Sequence, residues 1–410
     1  MRWLNDQQII DFLNSHNYDV RVSGNARWID QKCTPDVLTI IADFIIEFTS
    51  SNPEQEYFSS MDIWHNEYTK QNVEAIFKKP SPDIEMARSE YDKFFQQPME
   101  MFSYAGILKK KKVGTRNFYK VENLELLEFL SIREMNSLKF LELYNTKVLK
   151  DSDIYICFEE FFENPNPNSY ARMKKRFSDF TIKYTHINGE TECNRIFTKV
   201  LNPLAFMKNT FGTEKGRMSK GIITKDMLMY NRNNFRDIYV NKPKEMTRGE
   251  YYESLADKPN ANLIKYQSGK AKKLLRIFND AFNNGESEVQ DELAIGHAIN
   301  MHHIFPENEF QEISGYVENL IALTPSQHFQ KAHPDGNTRI IDKGFQQICL
   351  LAKADHIEEN INHGQEVIYS FDNFKFVLSV GFDNNEFEDI EDMNFSEVVR
   401  LINIQYIVCG

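Results

Sequence analysis

Three histidines and an asparagine in the last third of the chain have the types and spacing of a hydrolytic metal site. His302 and His303 are adjacent, and Asn319 and His328 follow in that order. Seven of the ten histidines lie within residues 297–363. A neutral imidazole, with a pKa of about 6.5, can take a proton from water near neutral pH. Other imidazoles can hold a divalent cation beside a phosphodiester, so the cluster indicates phosphodiester hydrolysis.

The residues around the first three of these side chains predict two short strands. Residues 301–305 favour a strand because Pro306 forbids a long helix there, and the mostly apolar residues 319–323 favour a second one. Neighbouring side chains on a strand point to opposite faces, so His302 and His303 are expected to do different jobs. One can hold a cation while the other faces a bound phosphate.

A helix start follows the second strand. Thr324 is placed to cap the helix, Pro325 suits its first position, and Gln327 can close a capping box. His328 is therefore expected in the opening turn of a short helix. Strand, loop, strand and helix together predict one compact unit that gathers the candidate residues.

In this order the residues resemble the HNH nuclease motif of the ββα-metal fold. The resemblance implies that His303 is the general base, that Asn319 orients this base, and that His302 and His328 are metal ligands. The competing interpretation is that the histidine pair only packs in a core. The ordered asparagine, capped helix and third imidazole argue against it.

His333 departs from the pattern of the family. Relatives with a histidine on the helix often place another one four residues later, but Ala332 stands there and His333 comes one residue further on. A fifth residue rotates the side chain by about a further 100° around an α-helix, which would turn it away from the metal. Pro334 and Gly336 suggest an early helix end, so His333 is kept as a third ligand.

The resemblance implies one divalent metal ion in each active site. We expect Mg²⁺ as the ion in use, with Mn²⁺, Ni²⁺ or Zn²⁺ as alternatives, although nitrogen ligands favour zinc and nickel. The paired cysteine knuckles of many HNH proteins are absent from the sequence, because its five cysteines are scattered.

Length and composition predict a multidomain α+β protein. At 410 residues the chain has material for two or three domains, and 41% hydrophobic and 13% aromatic residues indicate folded structure. Scattered cysteines favour a reducing compartment. With no apolar run of membrane-spanning length and no signal-peptide pattern at the N-terminus, we expect a soluble, cytoplasmic protein without a membrane partner.

We expect four segments and no internal repeat. Residues 1–140 form an N-terminal α+β domain, residues 141–285 a mixed recognition and connecting region, and residues 286–345 the ββα-metal nuclease module. Residues 346–410 form a C-terminal α+β extension. In that extension, alternating apolar residues predict a hairpin, and residues 395–407 predict a final helix.

Charge is segregated along the chain, although its net charge is −12. Residues 107–120 carry six bases and no acid, residues 265–276 carry five bases and no acid, and residues 383–397 carry seven acids and no base. Basic segments of this kind can grip phosphates, although each one alone is more often a solvated face. The candidate DNA-binding residues are Lys109, Lys110, Lys111, Lys112, Arg116, Lys270, Lys272 and Lys273.

The first basic segment resembles part of a winged-helix DNA-binding domain. A helix-like apolar pattern in residues 89–105, interrupted at Pro98, precedes it, a turn is expected at residues 113–116, and another helix follows from Leu124. An ordinary α+β subdomain with a lysine-rich turn fits the same pattern.

Residues 27–38 also resemble a segment near the start of several type II restriction endonucleases. Asp30, Lys32 and Asp36 in it lack the Asp, then Glu-x-Lys, spacing of a carboxylate-based nuclease centre. We therefore expect a site-specific endonuclease for double-stranded DNA, acting as a homodimer and paired genetically with a DNA methyltransferase. A nicking or homing HNH endonuclease, and a non-catalytic DNA-binding regulator with a metal-stabilised HNH module, are the alternatives.

Overall fold

The protein is α+β, and its chain divides into two compact units, residues 1–232 and 233–410. The described part is mainly helical, with three two-stranded antiparallel sheets. Within it, no helix combines the length and the apolar character that a bilayer crossing needs. The division into two units does not test the four segments expected from the sequence, which stay a prediction. The computed structural model describes residues 2–77, 83, 88–230, 246, 261–334, 336–337 and 340–408.

The first unit is built of helices and two β-hairpins. Its helices are α1 (Asp6–Asn14), α2 (Val20–Ser23), α3 (Pro35–Ser51), α4 (Ser60–Trp64), α5 (Glu67–Phe77), α6 (Arg88–Tyr104), α7 (Leu124–Ile132), α8 (Glu134–Asp151), α9 (Ile156–Glu163), α10 (Pro167–Tyr184), α11 (Glu190–Met207) and α12 (Lys225–Leu228). Its strands are β1 (Leu108–Val113), β2 (Arg116–Val121), β3 (Phe211–Glu214) and β4 (Arg217–Ile222).

Helix α3 is the central core element of the first unit. It begins with Pro35 at the first helical position, and all of its first eleven residues are buried. It packs against α7 and α8, which explains why this helix is apolar on more than one face. Phe44 of α3 stacks on Phe95 of α6 with ring centroids 6.2 Å apart, so α6 is tied to the same core.

The first unit repeats one arrangement, a long helix followed by an antiparallel hairpin. Helix α6 precedes β1 and β2, and helix α11 precedes β3 and β4. Each helix continues through an internal proline, Pro98 or Pro203, so the predicted interruption at Pro98 is wrong. Pro203 has no N–H for the carbonyl of Lys199, and Asn145 Nδ2 donates to that carbonyl at 3.3 Å instead. The sequence alone showed no such repeat.

The basic hairpin predicted from the first lysine run is confirmed. Strands β1 and β2 pair in register from Leu108 opposite Val121 to Val113 opposite Arg116. Gly114 takes φ 61° in the turn, a left-handed conformation that glycine adopts without steric cost. Phe58 lies beside β2 and exchanges two backbone hydrogen bonds with Tyr119, which extends the hairpin by one short bridge.

The second unit is built around one small sheet. Its helices are α13 (Ala261–Phe282), α14 (Pro325–Gln327), α15 (Lys343–His363), α16 (Phe371–Phe382) and α17 (Phe395–Val408), and its strands are β5 (Asn300–His303) and β6 (Leu320–Leu323). Short 3₁₀ turns occur at Gln311–Ile313, Val317–Asn319 and Asn385–Phe387, and a π-turn at His328–Ala332.

The core of the second unit surrounds the β5–β6 hairpin. Leu320 and Ile321 of β6 share one hydrophobic cluster with Leu275 of α13 and with buried residues of α15, α16 and α17. The final helix confirms the prediction for residues 395–407, but the predicted hairpin in the tail is wrong, since Phe371–Phe382 is a helix. Phe371, Phe374 and Leu378 recur at helical spacing there, and their burial among helices outweighs the alternating pattern.

A buried ion pair ties α15 to the edge of β6. Lys353 is 0% exposed, and its Nζ lies 2.5 Å from Glu288 Oε1 and 3.1 Å from the Tyr369 hydroxyl. Glu288 Oε2 accepts the amide hydrogen of Ala322 at 2.7 Å, and the Glu288 amide donates to the Ala322 carbonyl. Burial lowers the pKa of Lys353, and the carboxylate of Glu288 opposes this shift.

We expect Lys353→Met to lower the free energy of unfolding by about 3–5 kcal/mol, because it leaves a buried carboxylate without its counter-charge. The double variant Glu288→Gln/Lys353→Met removes that charge and should recover part of the loss. Urea denaturation measures both. A single variant within about 1 kcal/mol of the wild type would contradict the expectation.

A glycine in α16 gives a second stability test. A Cβ at Gly381 would lie 2.4 Å from three ring carbons of Phe305, whereas a Cβ at Gly269 in α13 meets nothing within 4 Å. Alanine is better than glycine in a helix by about 1 kcal/mol, so Gly269→Ala should raise the melting temperature. Gly381→Ala should lower it, because the clash costs about 1–3 kcal/mol. Equal shifts in both variants would show that Phe305 is loosely packed.

Candidate functional site

The candidate residues lie on a hairpin followed by a helical turn, as the sequence predicted. In the β5–β6 pair, His302 is opposite Ile321 and His303 is opposite Leu320. The capping box is present, since Thr324 Oγ1 accepts from the Gln327 amide at 3.2 Å and Gln327 Oε1 accepts from the Thr324 amide at 3.1 Å. This cap at Thr324 fixes the start of the helix at Pro325.

The helix then widens into a π-turn, which decides the position of His333. The His333 amide donates to the His328 carbonyl at 3.2 Å, an i→i+5 hydrogen bond in place of the α-helical i→i+4 bond. Residues joined by such a bond lie above one another, so the fifth residue takes the place that the fourth would have in an α-helix. The spacing that argued against His333 is therefore accommodated by the backbone.

His302, His328 and His333 converge on one point. Their ring centroids are 5.2 Å apart for His302 and His328, 5.0 Å for His302 and His333, and 4.8 Å for His328 and His333. One nitrogen from each ring lies within 4.8 Å of the others. His302 is 8% exposed and His333 is 3% exposed, so two of the three rings are withdrawn from water.

The hydrogen bonds of these rings leave nitrogen lone pairs for a cation. His302 Nε2 and His328 Nδ1 are buried and have no hydrogen-bond partner. The carbonyl of Ile340 accepts from His333 Nδ1 at 2.7 Å, so the lone pair of that ring is on Nε2. Buried polar atoms without partners are costly, and a divalent cation would satisfy them. The residues present therefore fit a metal ion.

His302 and His328 are held in the neutral form that metal binding requires. Burial holds the pKa of His302 well below its ordinary value, and the neighbouring His328 and His333 add to the effect. Burial also lowers the pKa of His328, with a further contribution from His333. At neutral pH, protons therefore compete little with a cation for the nitrogens of these two rings.

His303 is kept apart from this cluster and has a different set of partners. Its Nε2 donates to the Ser314 carbonyl at 3.0 Å, so Nδ1 carries the free lone pair, 3.7 Å from Glu307 Oε2. Burial and the positive charge of Lys272 lower the pKa of His303 to about 4, opposed by the Ser314 hydrogen bond and by Glu307. The side chain is thus a neutral imidazole with Nδ1 able to accept a proton.

Asn319 is fully buried and acts on the backbone that carries His303. Its Oδ1 accepts from the Phe305 amide at 2.8 Å, and its Nδ2 donates to the carbonyls of Phe305 at 3.0 Å and Ile313 at 3.4 Å. These bonds cross the hairpin, as expected, but they end on main-chain atoms and not on the imidazole. Asn319 therefore holds both the strand end after His303 and the loop that supplies the Ser314 carbonyl.

One cavity of about 570 Å³ is lined by all four histidines. Helix α13 contributes Lys265 and Lys272 to its wall, and the loop after β5 contributes Glu307. Ser268, between the two lysines on the same helix face, donates to Glu307 Oε2 at 3.1 Å. The cavity thus joins a cation-binding side, a proton acceptor and a positively charged wall.

The structure changes the set of functional residues on α13. Lys272 lines the cavity as expected, with Nζ 3.9 Å from Glu307 Oε2, while Lys270 and Lys273 are not among its lining residues. The sequence pattern did not point to Lys265, Ser268 or Glu307 as site residues. The i, i+3, i+7 spacing of Lys265, Ser268 and Lys272 is the signal that would have found the helix face.

The other candidate DNA-binding residues lie on the β1–β2 hairpin of the first unit. Lys109, Lys110, Lys111, Lys112 and Arg116 are all exposed. Lys110 Nζ lies 2.7 Å from Glu100 Oε2, and Lys111 Nζ lies 3.3 Å from the ring centroid of Tyr57. The hairpin is thus a basic ribbon that is partly held in place by its neighbours.

Family models, curated protein sequences and solved structures were each compared with the chain, and none of them matched it.

The histidine cluster predicts metal-dependent stabilisation. Zn²⁺ or Ni²⁺ added to metal-free protein should raise the melting temperature, because binding to the folded state alone stabilises it by about 2.7 kcal/mol at a hundredfold excess over Kd. His333→Ala should lose most of this shift. His363→Ala, at an exposed position of α15, should retain it. A full shift in His333→Ala would exclude that ring as a ligand.

Proposed function

We propose that this protein is a DNA endonuclease of the HNH class, and that β5, β6 and the turn from Pro325 to Ala332 form its ββα-metal module. The observation that carries the proposal is one cavity in which three imidazoles face each other beside a fourth that has a free lone pair. Cation binding and proton acceptance side by side are what phosphodiester hydrolysis requires.

His303 is the proposed general base. The Ser314 carbonyl fixes its Nε2–H, so Nδ1 is the atom that takes the proton from the attacking water. Glu307, 3.7 Å from Nδ1, stabilises the imidazolium that forms. Asn319 is a positioning residue, because it holds the backbone on both sides of this imidazole.

His302, His328 and His333 are the proposed ligands of one divalent cation. When bound, the cation would supply positive charge next to the phosphate and the leaving oxygen. Three protein ligands leave a coordination position open, as in catalytic sites, whereas structural sites are closed by four. Imidazole nitrogens suit Zn²⁺ or Ni²⁺ better than Mg²⁺, which prefers oxygen ligands, so the ion expected from the sequence is now the less favoured one.

The positively charged wall of the cavity suits the phosphate groups of the DNA backbone. Lys265 and Lys272 lie on the side of α13 that faces the four histidines. An ammonium group binds a phosphate as a point charge, so these lysines are the proposed contacts to the DNA backbone at the cleavage site. Lys272 also lowers the pKa of His303, which keeps the base neutral.

Recognition of DNA is assigned to the first unit. Its long helix and following basic hairpin are the parts that a winged-helix domain places against duplex DNA, and the arrangement occurs twice. We therefore favour a site-specific, type II restriction enzyme. One such site cuts one strand, so the proposal includes a homodimer with one site for each strand. It also includes a partner methyltransferase and action in the cytoplasm.

Incubating the purified chain with supercoiled plasmid and Mg²⁺, Mn²⁺, Ni²⁺ or Zn²⁺ tests the function. We expect discrete fragments from the wild type and a loss of roughly 10²–10⁴ in rate for His303→Ala, the usual contribution of a general base. His363→Ala serves as the matched histidine control and should cut normally.

The alternatives give different products in the same assay. Nicked circles without linear fragments would favour a nicking or homing endonuclease. DNA binding without cleavage in any metal would favour the non-catalytic regulator. Unchanged cleavage by His303→Ala would overturn the assignment of the base.

A further inference from the structure

Two adjoining cavities in the first unit form a continuous cleft between α6 and α11. One, of about 570 Å³, is lined by Lys93 of α6 and Arg195 of α11, and the other has a volume of about 720 Å³. Arg27 and Glu192 line both cavities, so the two are parts of one concave surface. Most of the length of α6 and the first turns of α11 therefore face the same cleft.

The cleft presents hydrogen-bond donors and acceptors together. Arg27, Lys93 and Arg195 contribute donors, and Glu192 and Gln31 contribute acceptors beside them. A surface that binds only phosphates selects cations, whereas the edges of base pairs offer both donors and acceptors. This composition fits base edges better than a phosphate backbone.

Arg27 is held in a fixed orientation by a buried carboxylate. Asp30 is 1% exposed and pairs with the guanidinium of Arg27, whose side chain is 50% exposed. The Gln31 amide donates to the second carboxylate oxygen of Asp30 at 2.7 Å. The free N–H groups of the guanidinium therefore point in a defined direction, and the planar fork matches the O6 and N7 atoms of guanine.

The loop that carries Arg27 is anchored in the core by the two residues that follow Arg27. Trp28 and Ile29 are 2% and 0% exposed, and the Tyr144 hydroxyl donates to the Trp28 carbonyl at 2.6 Å. The loop cannot move away without exposing these side chains. A side chain that recognises a base from a rigid support loses little conformational freedom on binding.

The hairpins that follow the two cleft helices carry bases but few acids. Lys109, Lys112 and Arg116 on the first hairpin, and Lys215 and Arg217 on the second, are exposed. Such residues suit the phosphate backbone on either side of a groove. Side chains can reach the base edges in the major groove of B-form DNA, whereas the major groove of A-form RNA is too narrow to be read.

We propose that this cleft reads base edges of double-stranded DNA in the major groove, and that Arg27, buttressed by Asp30, reads a guanine. The proposal rests on the proposed function in taking duplex DNA as the ligand. It goes further by separating the reading cleft from the hairpins, which grip the backbone.

Selection from a pool of random-sequence duplexes tests the proposal. The full chain carrying His303→Ala, which leaves DNA intact, is incubated with the pool at about 0.15 M salt, and the bound duplexes are sequenced. We expect a defined motif that contains guanine. Adding Arg27→Lys keeps the charge but removes the fork, so preference at one guanine should fall by on the order of 10- to 100-fold. Affinity for a scrambled duplex should change by less than about two-fold.

Lys112→Ala/Arg116→Ala in the same parent is the matched hairpin control. It should weaken binding to all duplexes alike and reduce the salt dependence, while the selected motif stays the same. If Arg27→Lys lowers the melting temperature, Arg195→Ala at an exposed position of α11 replaces it in the same selection.

Two results would overturn the proposal. One is a parent protein that enriches no motif, and the other is an unchanged motif in both cleft variants. Cleavage by the wild-type protein without any enriched motif would remove this inference and leave the nuclease assignment in place. A motif that depends on Arg27 in a protein that cuts no DNA would keep the reading cleft and remove the nuclease.

Discussion

One backbone hydrogen bond, from the His333 amide to the His328 carbonyl, sets the geometry on which the candidate site depends. An α-helical turn would bring Ala332 to the face that carries His328, and the site would lose its third imidazole. The wider turn brings His333 there instead, and the Ile340 carbonyl then fixes which nitrogen of that ring faces the other two. Single π-turns are rare in proteins and occur often at functional sites.

The remaining parts of the site are positioned by hydrogen bonds to main-chain atoms. The imidazole nitrogens therefore stay available for a cation or a proton. Asn319 fixes the strand end and the loop around His303. Gln346 of α15 donates to the Ile304 carbonyl at 2.7 Å, so a helix outside the motif also supports the same strand end. The Lys353–Glu288 pair anchors the opposite edge of the sheet. A two-stranded hairpin is only marginally stable by itself, and these contacts stabilise it.

The first unit uses one arrangement twice, with different residues on the exposed surfaces. Buried positions on α6 and α11 keep each helix in the core, and Pro203 of α11 is tolerated because Asn145 satisfies the carbonyl that it frees. The exposed positions on the helices are free to differ, because solvated side chains carry little of the packing energy. One scaffold can therefore present a mixed donor and acceptor surface in the cleft and a basic surface on the hairpins.

The sequence by itself determined the donor groups of the site and the local elements that carry them. The capping box at Thr324, the strands around His302 and Leu320, and the basic hairpin at Gly114 depend on neighbours in the chain, so local patterns reveal them. The tertiary structure decided the rest. The π-turn at His333, the backbone partners of Asn319, the face of α13 with Ser268, and the helix in place of a tail hairpin depend on packing between distant segments. Burial between such segments also lowers the pKa values of His302, His303 and His328, a property that no local pattern contains.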